Sequence, residues 1–195
     1  GLTEYPVGCL GPIYGYQWRN FNCDYEKRDY YAEDEKIDQL NNVIQKLKNP
    51  ETRNDRRLIV SAWNPCQIDE MALPPCHVMF QFNVSHGNKL SCLMTQRSAD
   101  IGLGVPYNIA SYAFLTHLIA KHCGLEAYEL IISLGSAHIY EQHIDALTEQ
   151  LTRETRDFPT VEISNIKDNI EDYNIRDFTV SGYHPHPAIK MEMVA

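Results

Sequence analysis

The feature that most constrains this chain is a double proline followed at once by a cysteine and an alternating apolar run. Pro74 and Pro75 can neither continue a helix nor donate the hydrogen bonds of a sheet. Residues 77–82 then alternate between apolar and more polar side chains, which predicts a strand. Cys76 therefore stands where a rigid turn passes into a strand, and its direction is fixed from both sides.

A cysteine in such a position has two interpretations. A nucleophilic thiol needs fixed geometry and a lowered pKa, which the adjoining His77 or a nearby arginine would supply. The alternative is a structural cysteine buried in the core, since unpaired cysteine is among the most buried residue types. The local sequence alone leaves both interpretations open.

Length and composition restrict the class of protein. A chain of 195 residues forms one sizeable core, and we expect a single domain over 1–195. No run approaches the roughly 18 apolar residues of a membrane-spanning helix, and the first ten residues lack the basic start of a signal peptide. Six cysteines without a Cys-x-x-Cys pair predict reduced thiols in a cytosol-like compartment.

The net charge of −9 does not favour nucleic acid as a partner. An anionic ligand would instead need a local basic cluster, and Arg53, Arg56 and Arg57 form one in the sequence. The alternative for this cluster is a solvated turn that precedes a strand.

Hydrophobic periodicity predicts an α+β fold, because helices and strands are mixed without regular βαβ alternation. Strands are predicted at 58–63, from 77 onward, at 90–95 after a hairpin turn at 84–89, at 130–134 and at 160–166. Helices are predicted at 37–47, 107–123 and 139–151.

Two of these helices carry expectations about burial. The helix at 107–123 is apolar on nearly all faces, which predicts a buried central helix that ends at Gly124. The helix at 139–151 is amphipathic, and we expect Ile144, Leu147 and Leu151 to face inward.

Several separated blocks, in the same order, resemble the thymidylate synthase family. The blocks are residues 10–19 (LGPIYGYQWR), 56–64 (RRLIVSAWN), 72–77 (ALPPCH), 96–98 (QRS), 105–112 (VPYNIASY), 138–140 (HIY), 182–187 (GYHPHP) and 189–193 (IKMEM). Together the blocks extend from near the start of the chain to its tail. Several blocks in the family's order identify the family far more specifically than any one block does.

The resemblance implies a mixed β-sheet with a buried central helix, packed back to back with the sheet of a second copy in a homodimer. It implies conversion of dUMP to dTMP with 5,10-methylenetetrahydrofolate as co-substrate, without a metal. It also implies a cytoplasmic enzyme, with nuclear or mitochondrial pools as alternatives. Some family members are fused to dihydrofolate reductase, and some bind RNA.

The resemblance assigns the catalytic residues. Cys76 matches the nucleophile that adds to uracil C6, and Tyr14 matches a tyrosine near C5 that helps to remove its proton. Arg97 matches an arginine that binds the phosphate close to the thiol. Asn108 matches the asparagine whose amide distinguishes uracil from cytosine; the alternative is a helix-capping asparagine.

The remaining binding residues also follow from the resemblance. Arg56 and Arg57 match a pair that reaches the phosphate from the other subunit, and His138 and Tyr140 match a pair on the ribose. The other matches to the nucleotide site are His77, Gln96, Ser98 and Asp100. Asp100 and Gly104 also match the folate site, as does the closing tail of residues 191–195 with its final Ala195.

The chain departs from the family pattern at three positions, Thr95, Ser136 and Asn83, where the family has tyrosine, aspartate and tyrosine. We expect the loss of the aspartate to loosen the support of His138. The chain begins with a block that family members carry well inside their sequences, so we expect the family's upstream glutamate, arginine loop and tryptophan segment to be absent.

Three alternatives to this function concern a metal site, a fragment without catalysis and a related enzyme. Histidines at spacing i,i+5, such as His138 and His143, do not share a helix face, so a metal site is not expected. A non-catalytic fragment that dimerises or binds nucleotide is the main alternative to an enzyme. A hydroxymethylase acting on dUMP, in which water replaces hydride, is the other.

Overall fold

A computed structural model describes residues 5–26 and 36–194, and a four-stranded sheet lies at its centre. The strand order is β1–β2–β3–β4, with antiparallel pairing for β1–β2 and β2–β3 and parallel pairing for β3–β4. A separate antiparallel pair, β5–β6, follows. The strands are β1 (Ile59–Ser61), β2 (His77–Ser85), β3 (Lys89–Asp100), β4 (Glu126–His138), β5 (Thr160–Ile163) and β6 (Phe178–Ser181).

The β2–β3 hairpin confirms the predicted turn. Ser85 pairs with Lys89, and the turn between them contains positive φ angles at His86 (48°) and Gly87 (87°). Such angles match the twist of the flanking strands, and glycine adopts them without steric cost. The predicted alternation on β2 is also confirmed, because Phe80 and Phe82 are buried.

Within the described residues, the α-helices are α1 (Gly15–Arg19), α2 (Gln39–Lys48), α3 (Gly104–His122) and α4 (Ile144–Leu151). Helix α2 begins where the Asp38 side chain accepts a hydrogen bond from the backbone N–H of Asn41 at 2.8 Å. Its apolar residues recur at helical spacing and are buried, and Pro50 follows its end. The predicted helix at 37–47 is therefore confirmed in substance.

Helix α3 connects the parallel strands β3 and β4 and packs on one face of the sheet. Gly124, at φ 69°, lets the chain turn back directly after it. Helix α3 is the predicted central helix, but it is buried on one side rather than on all its apolar faces. Tyr112, Thr116 and Ile119 on the sheet side are buried, whereas Tyr107 and others on the opposite side are exposed.

The hydrophobic core lies between the inner face of the sheet and helices α2 and α3. Its largest fully buried side chains are contributed by three strands and both helices. They include Phe80, Phe82, Leu58, Leu90, Met94, Ile44, Leu47 and Ile119. The start of β2, which follows Cys76, and the first turns of α3 therefore rest on a packed core, which gives their side chains defined positions.

A buried polar network ties α1 to the turn that precedes residues 74–76. Gln17 donates to Gln67 at 2.9 Å, Asn64 donates to the same oxygen at 2.9 Å, and Gln67 donates to the carbonyl of Cys23 at 2.8 Å. All three amide side chains are buried. Because these buried groups satisfy one another, the network fixes α1 and its preceding residue Tyr14 in relation to the sheet.

The α+β fold with a mixed sheet is confirmed, but several predicted boundaries differ. Strands β3 and β4 are longer than predicted because their polar second halves pair with each other, while β1 and β5 are shorter. The predicted helix at 139–151 consists of a 3₁₀ turn at Glu141–His143 followed by α4. The inward orientation of Ile144 and Leu151 is wrong, because both are exposed.

Within the described ranges, no helix combines the length and the apolar content that a membrane crossing requires.

Candidate active site

Cys76 lies immediately before β2, and α1 supports it from the other side. Its backbone N–H donates to the hydroxyl oxygen of Tyr14 at 3.0 Å, and its carbonyl accepts from the N–H of Arg97 at 2.9 Å. Its side chain is partly buried. The thiol is thus held by neighbours from α1 and β3 in a position that a ligand can reach.

Tyr14 has an unusual backbone, with φ 34° and ψ −101°. Residues other than glycine rarely adopt positive φ, and such conformations often occur at functional sites. Burial raises the pKa of the Tyr14 phenol above its usual range. The hydroxyl therefore stays protonated at neutral pH, and it is available to donate one hydrogen bond while it accepts that of Cys76.

Arg97 lies beside the cysteine turn. Its guanidinium donates to the carbonyl oxygens of Pro75 at 3.0 Å and Pro74 at 2.8 Å, and it lies 5.6 Å from the ring centre of Trp63. This cation–π contact orients the fork of the guanidinium. The side chain is exposed, so an anion can approach it.

A row of rings extends from Tyr14 into the core. His77 lies 5.4 Å from Tyr14 and 5.1 Å from Tyr112 between ring centres. Burial lowers the pKa of His77, and a hydrogen bond with Asn108 partly opposes that shift. His77 is therefore neutral at physiological pH, and it offers a polar edge without a positive charge.

Asn108 projects from the second turn of α3 and contacts β3. Its side-chain oxygen accepts from Gln96 at 2.9 Å, and the same Gln96 nitrogen donates to the carbonyl of Ser98 at 2.9 Å. Helix α3 has Leu103 at its N-cap, so the capping alternative for Asn108 is excluded. Gln96 fixes the amide plane of Asn108 and leaves the amide NH₂ group as a hydrogen-bond donor.

The loop between β3 and α3 carries Asp100 and Gly104. Asp100 accepts a hydrogen bond from the N–H of Gly102 at 2.9 Å. A Cβ atom at Gly104 would lie 3.6 Å from both Asn108 and Asp100. The space between these two side chains therefore remains open because position 104 has no side chain.

His138 and Tyr140 lie at the end of β4, next to Asp100, which pairs with His138 across the parallel ladder. The two rings are 5.1 Å apart at a near-perpendicular angle. The Nδ1 atom of His138 lies 3.2 Å from the carbonyl of Ser136. A backbone carbonyl thus orients His138, although position 136 has no carboxylate.

Arg56 and Arg57 are not brought to Cys76 within one chain. Both are exposed before β1, and Arg57 pairs with Asp55 at 3.0 Å. The carbonyl of Arg56 accepts from Gln81, four residues along β2 from His77. That separation is roughly 13 Å along a strand, so the two arginines lie away from the cysteine.

An apolar cavity of about 480 Å³ adjoins the row of rings. Its walls are formed by side chains of α1 and α3 together with the first residue of β2, and they include Tyr14, Trp18, His77, Tyr112, Leu115 and Leu118. The cysteine side of the site therefore borders a space suited to a flat apolar group.

The described residues 5–26 and 36–194 contain no cluster of three or more histidine, cysteine or acidic side chains able to hold a metal ion. The two remaining departures from the family pattern lie on the outer sheet face. Thr95 pairs with Met79 and Ser133, and Asn83 is exposed. Ala195 lies outside the described residues, so its predicted place in the folate site stays a prediction.

Sequence reasoning assigned no role to Trp63, Tyr112 or His143, which all touch predicted site residues. Trp63 stacks on Arg97, Tyr112 packs on His77, and His143 lies 3.7 Å from Asp100. Trp63 and Tyr112 lie within the blocks that carry the resemblance. His143 lies outside those blocks, and periodicity does not distinguish it from its neighbours.

Comparisons with known proteins identify the family of this chain. The family model described as thymidylate synthase matches residues 3–195. The thymidylate synthase of Saccharomyces cerevisiae is 50% identical over 202 residues, covering 99% of this chain and 66% of the yeast protein. That of Agaricus bisporus is 52% identical over 200 residues, covering 99% of this chain and 67% of the fungal protein.

A bifunctional dihydrofolate reductase-thymidylate synthase of Leishmania major is 51% identical over 195 residues, covering 99% of this chain and 37% of that protein. The chain therefore spans about two thirds of the length of the monofunctional relatives and about a third of the bifunctional one.

Proposed function

Because the chain belongs to the thymidylate synthase family, we propose that residues 1–195 form a catalytic domain for the reductive methylation of dUMP to dTMP. The co-substrate, 5,10-methylenetetrahydrofolate, supplies both the carbon and the reducing hydride. The observation that carries this proposal is the convergence of Cys76, Tyr14, Arg97 and Asn108 from four different elements.

Cys76 is the nucleophile in this proposal. Its thiolate adds to C6 of uracil, and C5 then becomes nucleophilic toward the carbon of the co-substrate. The backbone hydrogen bonds from Cys76 to Tyr14 and from Arg97 to Cys76 hold the thiol in a fixed position.

Tyr14 takes part in removing the proton from C5 after methylene transfer. Its hydroxyl accepts from the N–H of Cys76, so it lies within one residue of the covalent bond to uracil. A hydroxyl in this place transfers the proton through an ordered water molecule. Its raised pKa keeps it a proton carrier rather than a phenolate.

Asn108 reads the uracil ring. Its NH₂ group donates to O4, where negative charge develops during addition, and its oxygen accepts from N3–H. Gln96 holds this amide in the required orientation. Neutral His77 contributes a polar edge at the same side of the ring without adding a positive charge.

The phosphate and ribose are bound on the polar side of the site. Arg97 and Ser98 donate to the phosphate, and His138 and Tyr140 contact the 3′-hydroxyl of the ribose. Rotation of Arg97 away from the Pro74 carbonyl would free two donors for a bidentate contact.

The folate co-substrate lies between Asp100, Gly104 and the tail. The Asp100 carboxylate accepts hydrogen bonds from the pterin ring, and the open space at Gly104 lets that ring approach. The tail of residues 191–195 closes over it and excludes water.

The active dimer places two outer sheet faces back to back. Ile59, Leu93 and Ile131 are partly exposed in one ladder row on the face opposite α3. Arg56 and Arg57 lie away from their own Cys76, and both are exposed, so they reach the phosphate bound by the second copy once Arg57 leaves Asp55. A dimer carrying Arg57→Ala in one chain and Cys76→Ser in the other would then keep one fully native site.

The test of function is intact mass after incubation with 5-fluoro-dUMP and 5,10-methylenetetrahydrofolate. Fluorine at C5 cannot leave as a proton, so the covalent ternary complex accumulates. We expect the mass of the wild-type protein to rise by the combined mass of the two ligands. Cys66→Ser, which alters an exposed cysteine elsewhere, should show the same increase, and Cys76→Ser should show none. A folded protein that forms no adduct would contradict the proposal and favour a nucleotide-binding module without catalysis.

Product analysis separates methylation from hydroxymethylation. The proposal predicts dTMP and dihydrofolate in equal amounts, because the co-substrate is oxidised as it reduces the methylene group. Formation of 5-hydroxymethyl-dUMP with release of tetrahydrofolate would contradict the proposed methylation and show that the chain is a dUMP hydroxymethylase.

A further inference from the structure

His143 is a buried histidine to which the proposed chemistry assigns no task. It ends the 3₁₀ turn Glu141–His143 and has an exposed fraction of 0%. Histidine is seldom fully buried without a polar partner. The partners of its ring therefore indicate what it does.

One edge of the imidazole binds the C-terminal segment. Nε2 of His143 lies 2.7 Å from the backbone carbonyl oxygen of Glu192. A carbonyl only accepts, so Nε2 is the donor. Among the described residues, no other hydrogen bond reaches 190–194, and this contact is the polar attachment of the tail.

The opposite edge of the ring faces the loop between β3 and α3. Nδ1 lies 3.7 Å from Oδ1 of Asp100, and it has no hydrogen-bond partner within the described part of the chain. A Cβ atom at Gly102 would lie 2.6 Å from Nδ1 and 3.1 Å from Sδ of Met191. Loop, imidazole and tail are therefore packed together without room for one additional methyl group.

The same ring also touches the aromatic pair at the end of β4, because its centre lies 5.6 Å from that of Tyr140. Separately, the backbone N–H of His143 donates to the backbone carbonyl of Tyr140 at 2.9 Å. One side chain thus contacts Asp100, Tyr140 and the tail, which arrive from three distant parts of the sequence.

We propose that His143 is a positioning residue that fixes the tail at Met191 and Glu192 against the Asp100 loop. Its link to folate binding rests on the proposed function, because Asp100 and the tail are the folate-facing parts. The imidazole fixes the distance between the Asp100 loop and the tail. The tail therefore closes over the co-substrate from one defined position and not from many conformations.

The first test follows the methyl group of Met191 by NMR in His143→Phe, His143→Gln and His122→Phe. His122 is a second buried histidine, and it contacts Tyr173 at the end of α3 that is remote from the Asp100 loop. We expect His143→Phe to move the Met191 signal toward that of exposed Met193 and to lower its order parameter. His143→Gln, which keeps a donor, should restore part of the wild-type values, and His122→Phe should keep all of them.

A wild-type Met191 signal in folded His143→Phe, or the same change in His122→Phe, would overturn the proposal. The wild type supplies a test that does not depend on folding of a variant. A long-range proton–nitrogen spectrum of the His143 ring should show hydrogen on Nε2, the nitrogen that faces the Glu192 carbonyl. A bare Nε2 would overturn the proposal as well.

Kinetics test the link to folate. Loss of one hydrogen bond predicts a rise of about three- to tenfold in KM for 5,10-methylenetetrahydrofolate in His143→Phe, with KM for dUMP changed by less than about twofold. A purely structural defect would reduce the fraction of active enzyme, so the apparent kcat would fall in proportion while both KM values stayed unchanged. Absence of turnover in the wild type would contradict the proposed function, while the Met191 measurement would still decide the role of His143.

Discussion

The hydroxyl oxygen of Tyr14 accepts a hydrogen bond from the backbone N–H of Cys76 at 3.0 Å, between residues 62 positions apart in the sequence. Neither the helix after Tyr14 nor the strand after Cys76 would create this contact alone. The buried network of Gln17, Asn64 and Gln67 brings the two elements together. The position of the thiol is therefore a tertiary property of the fold.

Tyr14→Phe should lower kcat by about a hundredfold, which is the usual contribution of one group that transfers a proton. The phenyl ring keeps the packing against His77 but removes the hydroxyl. Steady-state formation of dTMP measures the effect. Tyr16→Phe is the matched control, because its hydroxyl donates to the carbonyl of Cys23 at 3.2 Å, away from the thiol. Equal losses in both variants would contradict a specific role for Tyr14.

Asn108→Asp should reverse the preference between uracil and cytosine. A carboxylate cannot donate to O4 of uracil, but it accepts from the amino group of cytosine. We expect the ratio of kcat/KM for dUMP to that for dCMP to fall by at least about a hundredfold. Asn83→Asp adds the same charge at an exposed site and should keep the wild-type ratio. An unchanged ratio in Asn108→Asp would assign base recognition to another residue.

The cysteines should differ in their reaction with iodoacetamide at pH 8. Burial raises the pKa of Cys92 to about 12 and that of Cys123 to about 11. Below these values the thiols are protonated, so roughly one molecule in a thousand or fewer carries a thiolate at pH 8. Peptide mapping should find label on exposed Cys66 but not on these two until urea unfolds the protein. Labelling of Cys92 as fast as Cys66 would be incompatible with this burial.

Gln67→Leu should reduce the free energy of unfolding by about 2–4 kcal/mol. The substitution removes the acceptor of Gln17 and Asn64 and the donor to Cys23, and buried groups that lose their partners are costly. Urea unfolding followed by fluorescence measures the change. Gln45→Leu, at an exposed position of α2, should change the free energy of unfolding by no more than about 0.5 kcal/mol. A similar small effect for Gln67→Leu would mean that the network adds little stability.

Local signals in the sequence predicted the elements that carry the site. The double proline placed the start of β2 directly after Cys76, and the hairpin residues His86 and Gly87 placed the turn to β3. These predictions succeeded because proline and glycine act on the backbone itself, independently of distant neighbours.

The features that the sequence missed depend on what lies beside each element. Helix α3 is apolar all round, yet Tyr107 is exposed because the sheet covers one side only. Ile144 and Leu151 follow an amphipathic pattern but face solvent. The contact of His143 with the tail joins residues 49 positions apart, and no local pattern encodes such a pair.

The parallel pairing of β3 and β4 has a consequence for the order of folding. The hairpin partner of β3 is a few residues away, whereas β4 joins only after the 25 residues from 101 to 125 have formed and docked α3. Closing that loop delays the pairing of Asp100 with His138, because distant contacts form more slowly than local ones. In stopped-flow refolding, recovery of nucleotide binding should therefore lag behind recovery of far-ultraviolet circular dichroism. The chain acquires its secondary structure before it acquires the ability to recognise a ligand.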